Sequence, residues 1–380
     1  MGKTVFRLFA AVPPGLEHIA EKEISEIGIK GKKVEGGVEF QGDLEVLYRA
    51  NLYLRTPTRI LLRVARFEAK TFSELVKRVK RYPWEIYIRE DVPLRIRVTS
   101  KKSRLYHTKA IEQRILEGIA ERVKFEPKKT SEEDLGEALV VRVEKDRFTI
   151  SVGSSGAPLY KRGYKKILGE APLRENYAAA LVLISGWDKK STFIDPFCGA
   201  GTICIEAALI ATDTAPGLFR SFAFEKWRIH SEELWEKVKE EAKERIKKAE
   251  TAIFGFDREK KVIDAAQKNA SFCGMSELIS FEVASFPKKD FKEAWIVTNP
   301  PYGKRLSKDE AKNAYRMLGR WIKKSFSSAH ITLLSPSERL VRLMDLSLEK
   351  ETSFSNSGIK VGIYKGKFDI EEREDSEKDG

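Results

Sequence analysis

Three short stretches carry groups that could do chemistry together: "FIDPFCGAGT" (193–202), "FGFDRE" (254–259) and "IVTNPPYGKR" (296–305). In the third, two prolines follow an apolar run and precede a glycine, a pattern that stops a strand. The corner leaves a carboxamide, Asn299, and an aromatic ring, Tyr302, on either side of a rigid turn. The first stretch offers the Asp195 carboxylate, then Gly199 and Gly201, where a backbone can approach a ligand closely. The second ends at Asp257, where a carboxylate can accept both ribose hydroxyls of a nucleoside. Capping the helix read over "REKKVIDAAQKN" is compatible with that role.

Other chemistries fit the same residues poorly. A nicotinamide site wants Gly-x-Gly-x-x-Gly and an acidic residue about 20 positions later. Here Thr202-Ile203-Cys204 breaks the third glycine, and Asp257 comes far too late. Cys198, Cys204 and Cys273 form no Cys-x-x-Cys pair, and His18, His107, His230 and His330 are scattered. Small buried thiols are expected, and no metal site.

The elements that must position these groups divide at about residue 173. Beyond it, "STFIDPF", "AIFGFD", "ISFEVA", "AWIVTNPP" and "HITLLS" read as buried strands separated by helices. That is a parallel, doubly wound α/β sheet, whose ligands sit beyond the carboxyl ends of the strands. "LSLEKETSF" and "GIKVGIYKGKF" close it as an antiparallel hairpin, and residues 369–380 form an acidic tail. Ahead of it, residues 1–58 alternate strand and helix signals as a small ferredoxin-like α+β unit. Residues 59–153 form a second α+β unit. Its helix "TFSELVKRVKRY" is capped by Thr71 or Ser73, and a longer one carries an apolar stripe of Ile111, Ile115, Ile119 and Val123. Residues 154–172, rich in Gly, Pro, Ser and Lys, read as a basic linker.

Composition narrows the partners. The 380 residues are 42% hydrophobic and 33% charged, a globular balance, with a net charge of +13. Residues 59–129 hold 20 Lys or Arg against 9 Asp or Glu, whereas residues 1–58 balance at 8 and 8. An excess this concentrated in a folded segment points to a polyanion, foremost nucleic acid. No apolar run approaches the roughly 18 residues of a membrane helix. "MGKTVFRLFAAVPPG" carries Arg7 inside its apolar stretch and reads as a first strand, not a signal peptide. A cytoplasmic monomer is expected. Glutamine is nearly absent while Lys, Arg and Glu abound, a bias shared with hyperthermophile proteins.

Together the three strand-end motifs resemble the S-adenosylmethionine-dependent amino-methyltransferases over residues 171–368. The resemblance implies a Rossmann-like domain in which "DPFCGAG" cradles the methionine part of the cofactor, Asp257 binds ribose and "NPPY" is catalytic. It places the cofactor against Leu173, Arg174 and Asn176; against Asp195 and the run Phe197, Cys198, Gly199, Ala200, Gly201 and Thr202; and against Asp257, Arg258, Ala284, Ser285, Phe286 and Asn299. Relatives often carry an acidic residue where this chain has Ser285. Asn299 and Pro300 would accept the two N–H hydrogens of a conjugated exocyclic amine and turn its lone pair toward the methyl group, with Tyr302 stacked on the base.

Such enzymes methylate adenine, cytosine, guanine or protein glutamine, and the front half decides among them. "SRLYHTKAIEQRI" on a basic α+β unit resembles the THUMP RNA-binding domain, and "SSGAPLYKRGYKK" the joint of THUMP-bearing guanine-N2 methyltransferases. The closest implied family is the archaeal tRNA enzyme that makes N2-methylguanosine in the acceptor stem, at position six. An rRNA guanine-N2 enzyme and an adenine-N6 nucleic-acid enzyme are the alternatives. Implied RNA contacts are Arg95, Arg97, Lys101, Lys102, Arg104, His107 and Lys109, joined by Lys161, Arg162 and Lys165 of the linker.

Overall fold

Alternating apolar residues in the front half and continuous apolar runs in the back half produce two different seven-stranded sheets among the described residues. The computed structural model describes residues 4–131, 137–167, 173–287, 291–302, 307–356 and 358–370. Most of the acidic tail and the end of the linker lie outside them.

The first sheet uses β1 (Phe6–Ala11), β2 (Gly31–Val34), β3 (Gly37–Gly42), β4 (Arg59–Glu68), β5 (Leu94–Lys101), β6 (Glu137–Glu144) and β7 (Arg147–Gly153), in the order β2-β3-β1-β4-β7-β6-β5. Its helices are α1 (Glu17–Glu26), α2 (Leu44–Tyr53), α3 (Phe72–Val79) and α4 (Thr108–Val123). Thr71, not Ser73, caps α3 by accepting from Glu74 N. Ile111, Ile115 and Ile119 are fully buried along α4. The ten-residue β4 joins the two parts of this sheet. It pairs with β1 from Arg59 to Leu62 and with β7 from Leu61 to Glu68. The two α+β units expected at 1–58 and 59–153 therefore share one continuous sheet.

The second sheet uses β8 (Phe193–Asp195), β9 (Ile253–Asp257), β10 (Ile279–Val283), β11 (Phe291–Thr298), β12 (Phe326–Ser335), β13 (Glu349–Asn356) and β14 (Ile359–Asp369). Its order is β10-β9-β8-β11-β12-β14-β13, parallel through β12 and closed by the antiparallel β13–β14 hairpin. The helices are α5 (Glu175–Ser185), α6 (Thr202–Ala211), α7 (Glu232–Glu244), α8 (Lys260–Phe272), α9 (Lys308–Ser325) and α10 (Glu338–Val341). Ile194, Phe256, Ile296 and Ile331 from adjacent strands pack with Tyr315, Leu318 and Ile322 of α9 in one apolar cluster. This is the doubly wound α/β sheet with a terminal antiparallel hairpin expected from the strand pattern.

Packing cuts across chain order. One compact unit is Met1–Val12, Ala20–Leu159 and Arg220–Glu241; the other is Pro13–Ile19, Tyr160–Phe219 and Ala242–Gly380. A boundary near residue 173 misses the segment 220–241, which rejoins the first unit. Its aromatic residues explain why: Phe224 stacks on Tyr48 at 4.6 Å, Trp235 meets Tyr48 edge-on at 5.5 Å, and His230 Nδ1 lies 2.9 Å from the Tyr48 hydroxyl. No helix among the described residues is long and apolar enough to cross a membrane.

Candidate active site

The three motif-bearing strands, β9, β8 and β11, are neighbours, and they run parallel. From β8 the chain moves to β9 on one side, while β11 flanks β8 on the other, so their carboxyl ends open at the switch point of the sheet. The register sets Asp195 opposite Gly255 and Ile194 opposite Ile296, which brings Asp195, Asp257 and Asn299 to the same edge.

Asp195 is almost fully buried. Its Oδ1 accepts from the Thr298 hydroxyl at 2.6 Å and from Phe197 N at 3.1 Å, while its Oδ2 is shielded from solvent and meets no donor among the described residues. Burial pushes its pKa up to about 7, against the pull of those two hydrogen bonds and with a small push from the charge of Asp257. The loop that follows is tight on one side and open on the other. Gly201 takes φ +82°, and a Cβ there would fall 2.8 Å from the Phe281 ring and 3.0 Å from Ala266. Gly199 takes φ +51°, yet a Cβ there would meet nothing within 4 Å. Glycine is thus required by packing at 201 and faces free space at 199. Asp257 fastens the loop to the next helix: Oδ2 accepts from Gly199 N and Oδ1 from Glu259 N, each at 3.1 Å. Each oxygen keeps further acceptor capacity.

At the third corner β11 ends at Thr298, and Pro300 is buried. Asn299 is half-buried, with its Oδ1 shielded and without a donor among the described residues. Asp195 Oδ2 and Asn299 Oδ1 are thus two shielded acceptors on neighbouring strand ends, and a buried acceptor gains stability from any donor that reaches it. Tyr302 is half-buried and its hydroxyl accepts from Asn356 Nδ2 of β13 at 3.4 Å. Residues 303–305 of the motif lie outside the described ones.

The other expected cofactor residues vary in how they are held. Leu173 and Asn176 are buried, whereas the exposed Arg174 lies 4.8 Å over the Tyr160 ring. Cys198 N donates to Phe256 O, and burial raises its thiol well above the usual range, leaving an unreactive side chain. Ala200 and Thr202 are buried, Arg258 is exposed, and Ala284 N donates to the Asp257 carbonyl. Ser285 is exposed, as is Val283 at the end of β10, whereas Phe286 meets Phe197 edge-on at 5.6 Å.

Sequence reasoning missed the residues that brace this edge. Thr298 and Asn356 are two, and Asn269 of α8 is a third. Fully buried, Asn269 accepts from Ile167 N (3.1 Å) and donates to Ile167 O (3.0 Å) and to Ala200 O (3.3 Å), tying the segment before α5 to the glycine loop. Only its polarity in an otherwise apolar helical stripe, "VIDAAQKNA", marks it in the sequence.

One expectation is overturned. Arg162, expected to contact RNA, is buried, with Nε 3.4 Å from Glu206 Oε1, which also accepts from the Tyr164 hydroxyl at 2.9 Å. A charge sealed against its partner cannot meet a phosphate. Lys165 is half-buried and donates to Leu173 O at 2.7 Å, while Lys161 is exposed. The remaining candidates sit in the first unit: Arg97, Lys101, Lys102, Arg104, His107 and Lys109 are exposed and Arg95 half-buried.

Residues 162–362 match the family described as RMKL-like, methyltransferase domain. The chain belongs to that family. Residues 7–61 match the RlmL ferredoxin-like domain and residues 69–153 the THUMP domain. YpsC of Bacillus subtilis, provisionally assigned as an RNA methyltransferase, is 34% identical over 94% of this chain and 95% of its own length. The ribosomal RNA large subunit methyltransferase K/L of Psychromonas ingrahamii is 32% identical over 93% of this chain. The chain spans about half the length of that relative, 49%. Among solved structures, SMU.472, provisionally a methyltransferase and complexed with SAH, superposes with a TM-score of 0.82 at 30% identity, covering 96% of this chain and 98% of that one. RNA methyltransferase relatives of the RMKL-like family fit the catalytic and RNA-binding halves alike, and the bound SAH of SMU.472 agrees with the cofactor expected from the motifs.

Proposed function

We propose that this RMKL-like protein transfers a methyl group from S-adenosylmethionine to the exocyclic N2 amine of a guanine in ribosomal RNA, in the cytoplasm. The observation that carries the chemistry is the pair of shielded, unsatisfied acceptors at adjacent strand ends. S-adenosylmethionine supplies an activated methyl group, and the protein's contribution is position and desolvation. The orphaned Asp195 Oδ2 suits the cofactor's ammonium group, Asp257 its ribose, and the space over Gly199 its backbone. The apolar side chains of Val283 at the end of β10 and of Phe286 just past it are candidates to face the adenine in place of an acidic contact at Ser285. Asn299 Oδ1 then accepts an N–H of the target amine and Pro300 O the other. The amine's lone pair, drawn out of conjugation with the ring, is aimed at the methyl group, and the fixed corner needs little reorganisation in the transition state. The N–C bond forms as the S–C bond breaks, the thioether product leaves, and the methylated nitrogen then gives up one of its protons to solvent.

Ribosomal RNA is preferred over the tRNA acceptor stem because the K/L relative is a ribosomal RNA methyltransferase. Mass spectrometry of nucleosides from large-subunit rRNA and from tRNA, each incubated with protein and labelled cofactor, tests this. N2-methylguanosine in rRNA is expected. Label only in tRNA would return the assignment to the acceptor stem, and label in N6-methyladenosine would overturn the target amine.

A further inference from the structure

The turn between β5 and α4 is held more tightly than an exposed loop requires. Ser100 Oγ donates to Leu105 O at 2.7 Å and Ser103 Oγ to Lys101 O at 3.0 Å. From the β6–β7 turn, Asp146 N donates to Ser103 Oγ at 3.0 Å, and the Asp146 carboxylate accepts Arg104 N at 2.7 Å. Leu105 is buried beneath the turn. The next residue points the other way. Tyr106 is 64% exposed, the most open large apolar side chain among the described residues, and its ring rests against that of His107 at 4.1 Å. Within five residues of it in the chain, Lys101, Lys102, Arg104 and Lys109 are all exposed, and none forms an ion pair with a described residue.

An outward ring adds little to folding, and single exposed apolar residues are common. Here, however, the ring stands on a pinned backbone, a second ring supports one side, and four exposed cations lie within five residues of it in the chain, against the single carboxylate of Asp146 in the turn. Stacking on a nucleobase needs that combination: an aromatic face already fixed in place, with positive charge for the flanking phosphates. A base within a duplex has both faces covered, so a protein ring can stack only on an unpaired one. An acidic protein surface would satisfy the cations and leave the ring without a partner.

We infer that Tyr106, supported by His107, is a stacking platform for an unpaired nucleobase, with the adjoining phosphates held by Lys101, Lys102, Arg104 and Lys109. The inference rests on the RNA reading proposed above and deepens it: a single-stranded nucleotide is gripped by the first unit, while methylation belongs to the strand ends of the second. The test uses the full chain, with Tyr106→Ala and Tyr106→Trp variants. Binding of a labelled single-stranded 12-nucleotide RNA of mixed sequence and of a blunt 12-base-pair duplex is followed by fluorescence anisotropy over a salt series. Tyr106→Ala should weaken the single strand roughly 5- to 150-fold, the effect of one missing base stack. Duplex binding and the salt slope should not change, and Tyr106→Trp should restore the single strand. Equal losses on both RNAs, no loss on the single strand, or no rescue by tryptophan would each overturn the platform. Wild-type protein that binds neither RNA would bring down the RNA reading itself, and the platform with it.

Discussion

The strand ends of the second unit and the basic turn of the THUMP unit, the two places proposed above to meet a ligand, are built on opposite principles. At the strand ends, single atoms matter: Asp195 Oδ2 and Asn299 Oδ1 are sealed from water without donors among the described residues. At the basic turn the charges stay in water, and Lys101, Lys102, Arg104 and Lys109 all remain hydrated. Desolvated groups act through short, directional bonds, so removing one acceptor is felt in full. Hydrated charges act in sum through a screened field, so removing one is felt in proportion. On the proposed function, chemistry falls where the first principle holds and capture where the second does.

The sharpest break in that contrast is Asn299→Ala. Turnover should fall roughly a hundredfold or more, as for a removed transition-state acceptor, while cofactor affinity measured by calorimetry stays close to wild type. Near-normal single-turnover rates would mean that the corner does not hold the amine.

A smaller effect comes from pH. Burial raises Asp195 to about 7, so in the cofactor-free protein it is largely protonated at pH 6. An ammonium group needs the ionised form, and affinity for S-adenosylmethionine should fall about tenfold between pH 8 and pH 6. Asp195→Asn should bind weakly at both values and lose the dependence. The same shift has a signature in stability. The folded carboxyl keeps a proton that the unfolded one releases above about pH 4, so this group's contribution is present at low pH and is lost as pH rises to about 7. Thermal midpoints of wild type and Asp195→Asn, without cofactor, should therefore diverge across that window. Parallel curves would show that Asp195 ionises normally.

The smallest effect belongs to the turn. Replacing Lys101 and Lys102 together by alanine should weaken RNA binding evenly across sequences and lower the salt slope by about 1.4, roughly 0.7 for each single-strand phosphate no longer neutralised. An unchanged slope would place the phosphates elsewhere.

Why one region could be read from sequence and the other only in part follows from the same contrast. The catalytic edge was legible because each strand ends where its apolar run ends: β8 stops at Asp195, β9 at Asp257 and β11 one residue before Asn299. Short-range signals fix those positions. What braces them was not legible. Asn269 reaches Ile167 across 102 residues and Thr298 reaches Asp195 across 103, and no local pattern announces a partner at such range. The basic excess of residues 59–129 was countable, but counting could not separate a cation in solvent from one sealed against a carboxylate. Arg162, which the resemblance put among the RNA contacts of the linker, shows the same limit beyond that stretch, being sealed against Glu206. The return of residues 220–241 to the first unit was equally hidden, since nothing local to Phe222, Phe224 and Trp235 names the surface they pack on.

The strand β4 has a consequence in time as well as in space. On the ribosome it emerges after β1 and can pair with it at once, but its other edge must wait for β7. Glu68 precedes Gly153 by 85 residues, which at about 5–20 residues per second is roughly 4–17 s of synthesis. Throughout that interval a ten-residue strand, "RILLRVARFE", presents an open ladder edge to other nascent chains. Its arginines at 59, 63 and 66 are the kind of charge that discourages edge-to-edge pairing while the partner is still being made. The nascent first unit waits longer still for the segment ending at Glu241, made only after β8 and α6 of the second sheet. The two halves are therefore born interleaved, and a chain released before that point would leave the first half unfinished.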